Sequence, residues 1–572
     1  MDNKRLGVFI CHCGGNISDY VDVDMVRDAV KNHERVAIAK TNMFSCSDSA
    51  QQEMIQAIKT NNLNALVIAS CTPKLHSSTF RAMCERAGLN KYQYVQVNIR
   101  EQCSWAHTHD KNAATKKALS LVLAGIARAA ISPPLKALSI NTVPNVLVIG
   151  AGASGLRASL ALADMGLNVY LVEKAAEPGG MIKNWGRLFP NDADGEALAQ
   201  SLVSKVKEHG NITLFTDAKV IEKKGSLGAF NIKLSIKNKD HVWLDTGAIL
   251  VTTGFAVYTP LEGEFGFGMN GVITLGQFKE LLSRQKGPLE YNGKEIGTIT
   301  YIYCVGSRQP EGPGRHTYCS RYCCSAAIHG AICASRLNPR INQFHLYRDI
   351  RTYGKYELLL NKALGAGSLF LKYDQADPPH VEGENGRLLV RIRDRLTGGE
   401  EIEIDTDLVV LVTGMEAQKD QDLLDVLKIP AGKDGFFNEI HPKLRPVETV
   451  MDGILIAGTC QGPKTLTESV TSSMAAAAKI AGLLSKGYVN IEPFVARVAQ
   501  DACNWCGECQ KACPYEAIEQ AEVDGRLIAK INPALCKGEG ACAPACPSGA
   551  IEMEGHTNSQ IRAMIDAMLS EA

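Results

Sequence analysis

Three things are missing from this chain of 572 residues, and each removes a class of protein. There is no excess of either charge. Lys+Arg and Asp+Glu both number 61, so the chain offers no field to attract nucleic acid or an anionic membrane surface. No uncharged apolar run approaches the roughly 18 residues that a membrane span requires. The best candidate, Leu119 to Ile131, is short and interrupted by Arg128. The opening MDNKRLGVFICHCGG carries no signal-peptide pattern. A cytoplasmic protein of about three to four domains is the expectation.

What is abundant is cysteine, with 19 residues. Without a secretory signal, and with clustering of the CxxC kind, ligation of metal or iron-sulfur clusters is the better reading than disulfides. Thiolates select iron-sulfur clusters, zinc or copper(I), so each group is argued by its own spacing.

The chain is organised around Pro144 to Glu173, PNVLVIGAGASGLRASLALADMGLNVYLVEK. A short apolar strand opens into Gly150, Gly152 and Gly155, continues as an Ala/Leu-rich helix and returns as a strand ending at Glu173. That is a complete βαβ unit: a tight turn at Gly150, backbone approach to a pyrophosphate at Gly152, close packing at Gly155. Glu173 stands at the spacing of a ribose-binding carboxylate. Glu177-Pro-Gly-Gly180-Met181 follows as a Gly-rich turn of the kind that lies against a flavin. Two near-identical strand-to-glycine turns, Ala248 to Gly254 and Leu408 to Gly414, suggest two homologous halves. The piece Gly453 to Lys464, with the Ala-rich helix Ser469 to Leu484, resembles the last flavin-contacting strand and helix of the thioredoxin-reductase-like superfamily. Thr459 stands where most of that superfamily has Asp. FAD is the expected cofactor, with contacts at Gly150, Gly152, Ala153, Ser154, Gly155, Glu173, Lys174, Gly180, Met181, Thr253, Gly254, Gly414, Gly458, Thr459, Gln461, Gly462 and Thr467.

Ahead of this unit, residues 1–140 alternate strand-like and helix-like pieces. Strands are expected at Leu6 to Ile10, Val36 to Ala39, Ala65 to Ala69 and Tyr92 to Val97. Helices fall between them and over Ala113 to Ala129, which predicts a small doubly wound α/β domain. Ligands in such folds bind beyond the carboxyl ends of the strands. Cys11 and Cys13 follow the first strand, Cys46 the second, Cys71 the third and Cys103 the fourth, so an iron-sulfur cluster held by four of these five is expected. Cys84, in mid-helix, reads as a buried structural thiol.

A second dinucleotide site is absent where symmetry would put one. The strand Thr298 to Tyr303 leads into Cys304-Val-Gly-Ser-Arg and on to Cys319-Ser-Arg-Tyr-Cys323-Cys324, with no surviving GxGxxG. Adjacent Cys323 and Cys324 fit neither a zinc ribbon nor a redox CxxC.

Residues 491–572 carry Cys503-x2-Cys506-x2-Cys509-x3-Cys513-Pro514, the bacterial two-cluster ferredoxin run, in which the fourth cysteine serves the other cluster. The second run is Cys536-x2-Glu539-x2-Cys542-x3-Cys546. One cluster is therefore expected on Cys503, Cys506, Cys509 and Cys546. The other has Cys513, Cys536 and Cys542 with Glu539 in the remaining position, so a 3Fe-4S cluster, a carboxylate-ligated 4Fe-4S cluster or an empty site are the options. An occupied, altered cluster is the favoured one.

Over nearly its full length the chain resembles the heterodisulfide reductase A subunits, which carry FAD and iron-sulfur clusters. The resemblance is carried by CHCGGNI, ASCTPKLHSSTFR, NIREQCSW, the FAD unit, YCVGSR with CSRYCC, DIRTYGK, GTCQGPK and the C-terminal cysteine runs. It implies that Cys304, Cys319, Cys323 and Cys324 hold a non-standard 4Fe-4S cluster beside the flavin, and that no NAD(P)H site remains. The implied architecture is an α/β chain: an N-terminal domain (1–140), a thioredoxin-reductase-like flavoprotein domain (141–490) and an α+β ferredoxin domain (491–572). The implied activity is that of an electron-transfer oxidoreductase component in anaerobic energy metabolism such as methanogenesis. The partners implied are proteins like the B and C subunits of heterodisulfide reductase, a hydrogenase, formate or NADH dehydrogenase input module, and ferredoxin. Electron bifurcation at the flavin and a homodimer within a larger complex follow from the same resemblance.

Two departures stand out. Members of this family can carry a ferredoxin insertion in the flavin domain, but Met181 to Gly247 contains no cysteine. The helix after Cys324 commonly offers a Lys to the flavin N5 edge, whereas this chain has His329, expected to titrate near neutrality. The competing readings are a self-sufficient NAD(P)H-dependent flavin oxidoreductase and a non-catalytic electron wire.

Overall fold

A computed structural model of the protein describes residues 4–570 apart from 238, 286, 385 and 386. The chain divides into two compact units, residues 141–489 and a unit assembled from both ends of the chain, 1–140 with 490–572.

The larger unit is built twice. A parallel five-stranded sheet runs in the order 212–215, 168–172, 145–149, 248–251, 454–456. A second runs 272–274, 408–413, 298–305, 342–347, 369–372, also parallel. Each sheet is accompanied by a three-stranded antiparallel meander, 218–246 in the first half and 380–406 in the second. Sheets covered on both faces need strands that are apolar throughout. Ala248–Val251 and Leu408–Thr413 are buried at every position for that reason. The two similar strand-to-glycine turns occupy equivalent places and then meet, because Phe255–Val257 pairs antiparallel with Met415–Ala417. The two halves thus share one backbone plan.

In the other unit a parallel sheet in the order 36–42, 6–11, 65–70, 94–98 is flanked by helices. The third helix runs Pro73–Ala87, where Thr72 caps it and Pro73 opens it. Residues 490–572 contribute the hairpin Ile518–Val523/Arg526–Ile531, the pair Ala496–Val498/Ile551–Met553 and the helix Asn558–Leu569. That helix packs on the long helix Lys111–Ile131. Buried Gln560 donates to Ser132 Oγ at 3.0 Å, and Arg128 donates to the Gly555 carbonyl at 2.8 Å. No helix among the described residues is long and apolar enough to cross a membrane.

Candidate functional site: a flavin cleft beside clustered thiols

The dinucleotide loop has the conformation its glycines predict. Gly150 has φ +101°, and a Cβ there would lie 2.6 Å from the Thr252 carbonyl. A Cβ on Gly155 would come within 1.8 Å of the Gly150 oxygen, so helix Ala153–Asp164 can approach the sheet only without one. Gly152 caps that helix with no side-chain acceptor, leaving its first amides for an anion. Glu173 is held by two backbone amides, Ala151 at 2.8 Å and Ala175 at 2.9 Å. Its carboxylate still has lone pairs for a ribose diol. These features together fit the pyrophosphate and ribose of FAD.

The cleft that opens here has a volume of about 280 Å³. Of the expected contacts, Gly150, Gly152, Ala153, Ser154, Glu173, Lys174, Gly180, Met181, Thr253, Gly254 and Thr459 line it. Gly155, Gly414, Gly458, Gln461, Gly462 and Thr467 do not. Gly155 and Gly458 act through packing: a Cβ on Gly458 would meet Ser154 Oγ at 2.4 Å. Gly414 belongs to the second half, against Ser320 and Gly306, and Gln461 is turned to Glu439 and the Pro446 carbonyl.

Residues with no glycine signature complete the wall, among them Trp185, Lys279, Tyr322 and Lys464. Lys464 lies in the quoted GTCQGPK stretch, and burial lowers its pKa. Lys279 had no such signal. It sits on an amphipathic helix, Leu275–Arg284, where a lysine normally reads as solvated, yet it is only 3 % exposed.

His329 departs from its expected behaviour. Burial, then the neighbouring Lys279 ammonium, push its pKa down to about 4, so the imidazole is neutral instead of titrating near neutrality. The group poised near neutrality is Lys279, lowered by burial to about 8. His329 is also absent from the cleft wall; it touches Lys279, which does line it.

Cys304, Cys319, Cys323 and Cys324 come together at the carboxyl end of the strand Thr298–Val305. Cys304 takes a left-handed φ of +63°. Cys323 and Cys324 are the first residues of the helix Cys323–Leu337, where free amides and the helix dipole favour thiolates. A hydrogen bond from Cys323, together with Arg308 and Arg351, holds Cys324 below the usual thiol range. Burial raises Cys304, opposed by Arg348 and Arg308. Arg348 donates to the carbonyls of Arg308 (2.8 Å) and Ser307 (3.0 Å). Buried Nε of Arg348, Nη1 of Arg308 and Oγ of Ser307 nevertheless have no hydrogen-bond partner. Unused buried donors beside four thiols fit a cluster whose sulfurs accept them. The backbone amide of Arg321 already points at Cys319 Sγ at 3.3 Å.

In the N-terminal sheet, Cys11, Cys13, Cys46 and Cys71 gather at the strand ends, where Cys11 and Cys13 add to the burial that raises Cys46 and Cys71. Cys71 is raised to about 11, first by burial. Arg100, on a single π-helical turn, points Nη1 at Cys13 Sγ at 3.5 Å; such turns recur at functional sites. Cys103 is buried in the same core as Cys11, and burial raises its thiol to about 11. Cys84 is fully buried and raised by burial to about 12, an inert thiol.

In the ferredoxin segment burial, with Cys506 and Cys503 close by, raises the Cys509 thiol. Cys546 packs on the same small core as Cys503 and Cys509. Backbone amides reach Cys503 and Cys546 at 3.3 Å and Cys536 at 3.4 Å. Cys513, Cys536, Cys542 and Glu539 line one small cavity, so the carboxylate faces the same space as the three thiols.

Fold and site together define an FAD-dependent oxidoreductase that also carries 4Fe-4S clusters. Residues 145–220 match the FAD dependent oxidoreductase family and residues 502–550 the 4Fe-4S dicluster domain. The chain is 35% identical to the second iron-sulfur A subunit of the CoB–CoM heterodisulfide reductase of Methanopyrus kandleri, covering 92% of this chain and 93% of that one. It is 33% identical to the A subunit of the H2/formate:CoB-CoM heterodisulfide,ferredoxin reductase of Methanococcus maripaludis, covering 100% and 99%. That alignment spans 659 residues, more than the 572 of this chain, so the relative carries length with no counterpart here. Among solved structures, Thermoplasma acidophilum thioredoxin reductase matches at 18% identity and TM-score 0.41, over 59% of this chain and 98% of that one. The chain belongs to the family of heterodisulfide reductase iron-sulfur A subunits.

Proposed function

We propose that this protein relays single electrons between protein partners through its flavin and does not take hydride from a nicotinamide. One observation carries the reading. At the strand end where the second half would cradle a pyridine nucleotide stand four thiols and the unpartnered guanidinium donors of Arg308 and Arg348. In this reading Cys304, Cys319, Cys323 and Cys324 ligate one cluster, and Cys11, Cys13, Cys46 and Cys71 a second. Cys503, Cys506, Cys509 and Cys546 ligate a third, and Cys513, Cys536 and Cys542 with Glu539 a fourth, altered one. FAD supplies the conversion between two-electron and one-electron chemistry. The chain's own residues set the potentials, through amides on sulfur and through Arg308, Arg348 and Arg351.

Electrons enter from a partner dehydrogenase or hydrogenase and leave by two routes, toward a disulfide-reducing partner and toward ferredoxin. Support comes from the relatives, whose names pair a heterodisulfide with H2, formate or ferredoxin. Such a protein works in the cytoplasm, as a homodimer within its complex. The test is anaerobic mixing of the purified holoprotein with NADH or NADPH, and separately with reduced ferredoxin, while the flavin absorbance is followed. Bleaching by ferredoxin alone is expected. Rapid bleaching by either nicotinamide would overturn the reading in favour of a self-sufficient NAD(P)H oxidoreductase.

A further inference from the structure

The buried ammonium in the cleft wall does not stand alone. Lys279 Nζ donates to the Arg187 carbonyl and to His329 Nδ1, the latter at 3.2 Å. His329 Nε2 lies 3.1 Å from Asp192 Oδ1, and Asp192 Oδ2 accepts from Arg336. Because Nδ1 accepts from an ammonium, the ring proton sits on Nε2 and is donated to the carboxylate. Side-chain exposure rises along the row, from 3 % at His329 to 34 % at Asp192 and 57 % at Arg336. The row runs from the flavin cleft to water.

Asp192, His329 and Cys333 also place ligand atoms within 4.8 Å of one another, a spacing that suits a metal ion. Here the neighbouring positions are taken by two cations, Lys279 on the imidazole and Arg336 on the carboxylate. A divalent ion would sit against both charges. Hydrogen bonding, not coordination, is what this cluster is built for.

We propose that Lys279, His329 and Asp192 form a proton relay between the flavin cleft and solvent, with Lys279 the group that exchanges a proton with the flavin. The proposal rests on FAD occupying the cleft, as the function proposed above requires. Two-electron reduction of a flavin takes up a proton at N5, the electrons arriving from one-electron donors. In the reductive half the Nζ–H bond of Lys279 breaks as the N5–H bond forms. Nζ is then reprotonated from Nδ1–H of His329, the tautomer that oxidation leaves, as a proton from water reaches Nε2 through the Asp192 carboxylate, which holds it only in transit. The ring ends protonated on Nε2, the tautomer its hydrogen bonds require. In the oxidative half the proton leaves N5 for Nζ, Nζ passes one to Nδ1, and Nε2–H goes to Asp192 and on to water. Each half leaves the ring in the tautomer that the other half needs.

The chemistry of the groups agrees. A lysine at about 8 exchanges its proton readily near neutrality. A histidine at about 4 stays neutral and can pass protons without storing charge. The titratable and charged groups facing the row are Arg187 and Asp192 from the segment 187–194, Lys279 from its own helix, and Cys333 and Arg336 from the helix of His329.

The experiment uses holoprotein with its FAD content confirmed by absorbance. Spectroelectrochemical titration of the FAD midpoint against pH comes first. The slope is expected to steepen above about pH 8, because oxidised protein has then lost the Lys279 proton that reduction restores. Lys279→Met should abolish that steepening. Stopped-flow reduction by dithionite in H2O and D2O comes second. His329→Gln and Asp192→Asn should each slow it by at least about tenfold, with an enlarged isotope effect and unchanged FAD content. An unaltered slope in Lys279→Met, or unaltered rates in both relay variants, overturns the relay and leaves FAD binding standing. A wild-type protein that holds no FAD overturns the underlying reading instead.

Discussion

A buried lysine has a measurable consequence even without its cofactor partner. Burial lowers Lys279 from 10.5 to about 8, so the folded protein disfavours its proton relative to the unfolded chain. Stability from this group is complete above pH 10.5 and is lost as pH falls from there through about 8. Lys279→Met, similar in length and uncharged, should therefore raise stability at pH 7 by an amount on the order of 1–3 kcal/mol, and the thermal midpoint with it. The gain should disappear above the unfolded pKa, and differential scanning calorimetry at both pH values checks the sign. A second single-residue prediction concerns Glu539. Its spacing within Cys536-x2-Glu539-x2-Cys542 marks it in the sequence, and the structure puts it on the same cavity as three thiols. Glu539→Cys is expected to raise the iron and acid-labile sulfide content and to replace an atypical EPR signal with that of an ordinary 4Fe-4S cluster. A wild-type domain loaded with zinc, or with no metal, would defeat the altered-cluster proposal. Glu539 was legible because ligand runs are local. Lys279 was not, because its burial depends on a helix fifty residues further along.

At the scale of elements, the loop of Cys319 to Cys324 is tied to the flavin-side helix Leu466–Leu484. Thr465 and Glu468 form a capping box at the start of that helix. Glu468 also accepts from both Nε and Nη2 of Arg321, between Cys319 and Cys323, and from Tyr353 OH at 2.9 Å. Burial alone would raise the Glu468 carboxyl. Arg321, the Thr465 amide and Tyr353 hold it instead at about 2. A carboxylate lowered in the folded state contributes stability above its unfolded value of 4.5 that is lost as pH falls through about 2. Glu468→Gln should cost about 1 kcal/mol at neutral pH, less than the full shift because the pair is partly solvated. The loss should shrink as pH drops below 4.5, which chemical denaturation at a series of pH values measures. The βαβ unit, the paired strand-to-glycine turns and the ferredoxin runs could all be read in advance, since strand-turn-helix chemistry is set by neighbours in the chain. The start of the helix Pro73–Ala87 is harder to read, because ASCTPKLHSS looks loop-like unless Thr72 is recognised as its cap.

At the scale of the molecule, the two ends of the chain build one compact unit, although they read in sequence as separate domains. Arg128, the charge that interrupts the apolar run of the helix Lys111–Ile131, turns out to serve that assembly. It donates to the Gly555 carbonyl and contacts His556 Nε2 at 2.9 Å. Arg128→Ala should destabilise this unit by about 1–2 kcal/mol. It should also increase hydrogen exchange in Asn558–Leu569 while leaving the exchange of residues 141–489 unchanged.

The sequence by itself determined the chemistry: glycines that only a dinucleotide needs, thiol runs whose spacing matches cluster geometry, and a second half stripped of its nucleotide fingerprint. Those signals are local, so short stretches of chain suffice to carry them. Tertiary packing alone decided which guanidinium groups surround Cys304 and which lysine enters the flavin cleft. It also decided that residues 490–572 close onto residues 1–140. The physical reason is that each of these depends on burial and on contacts between distant segments, and a side chain's charge, partner and proton affinity are set by what packs against it.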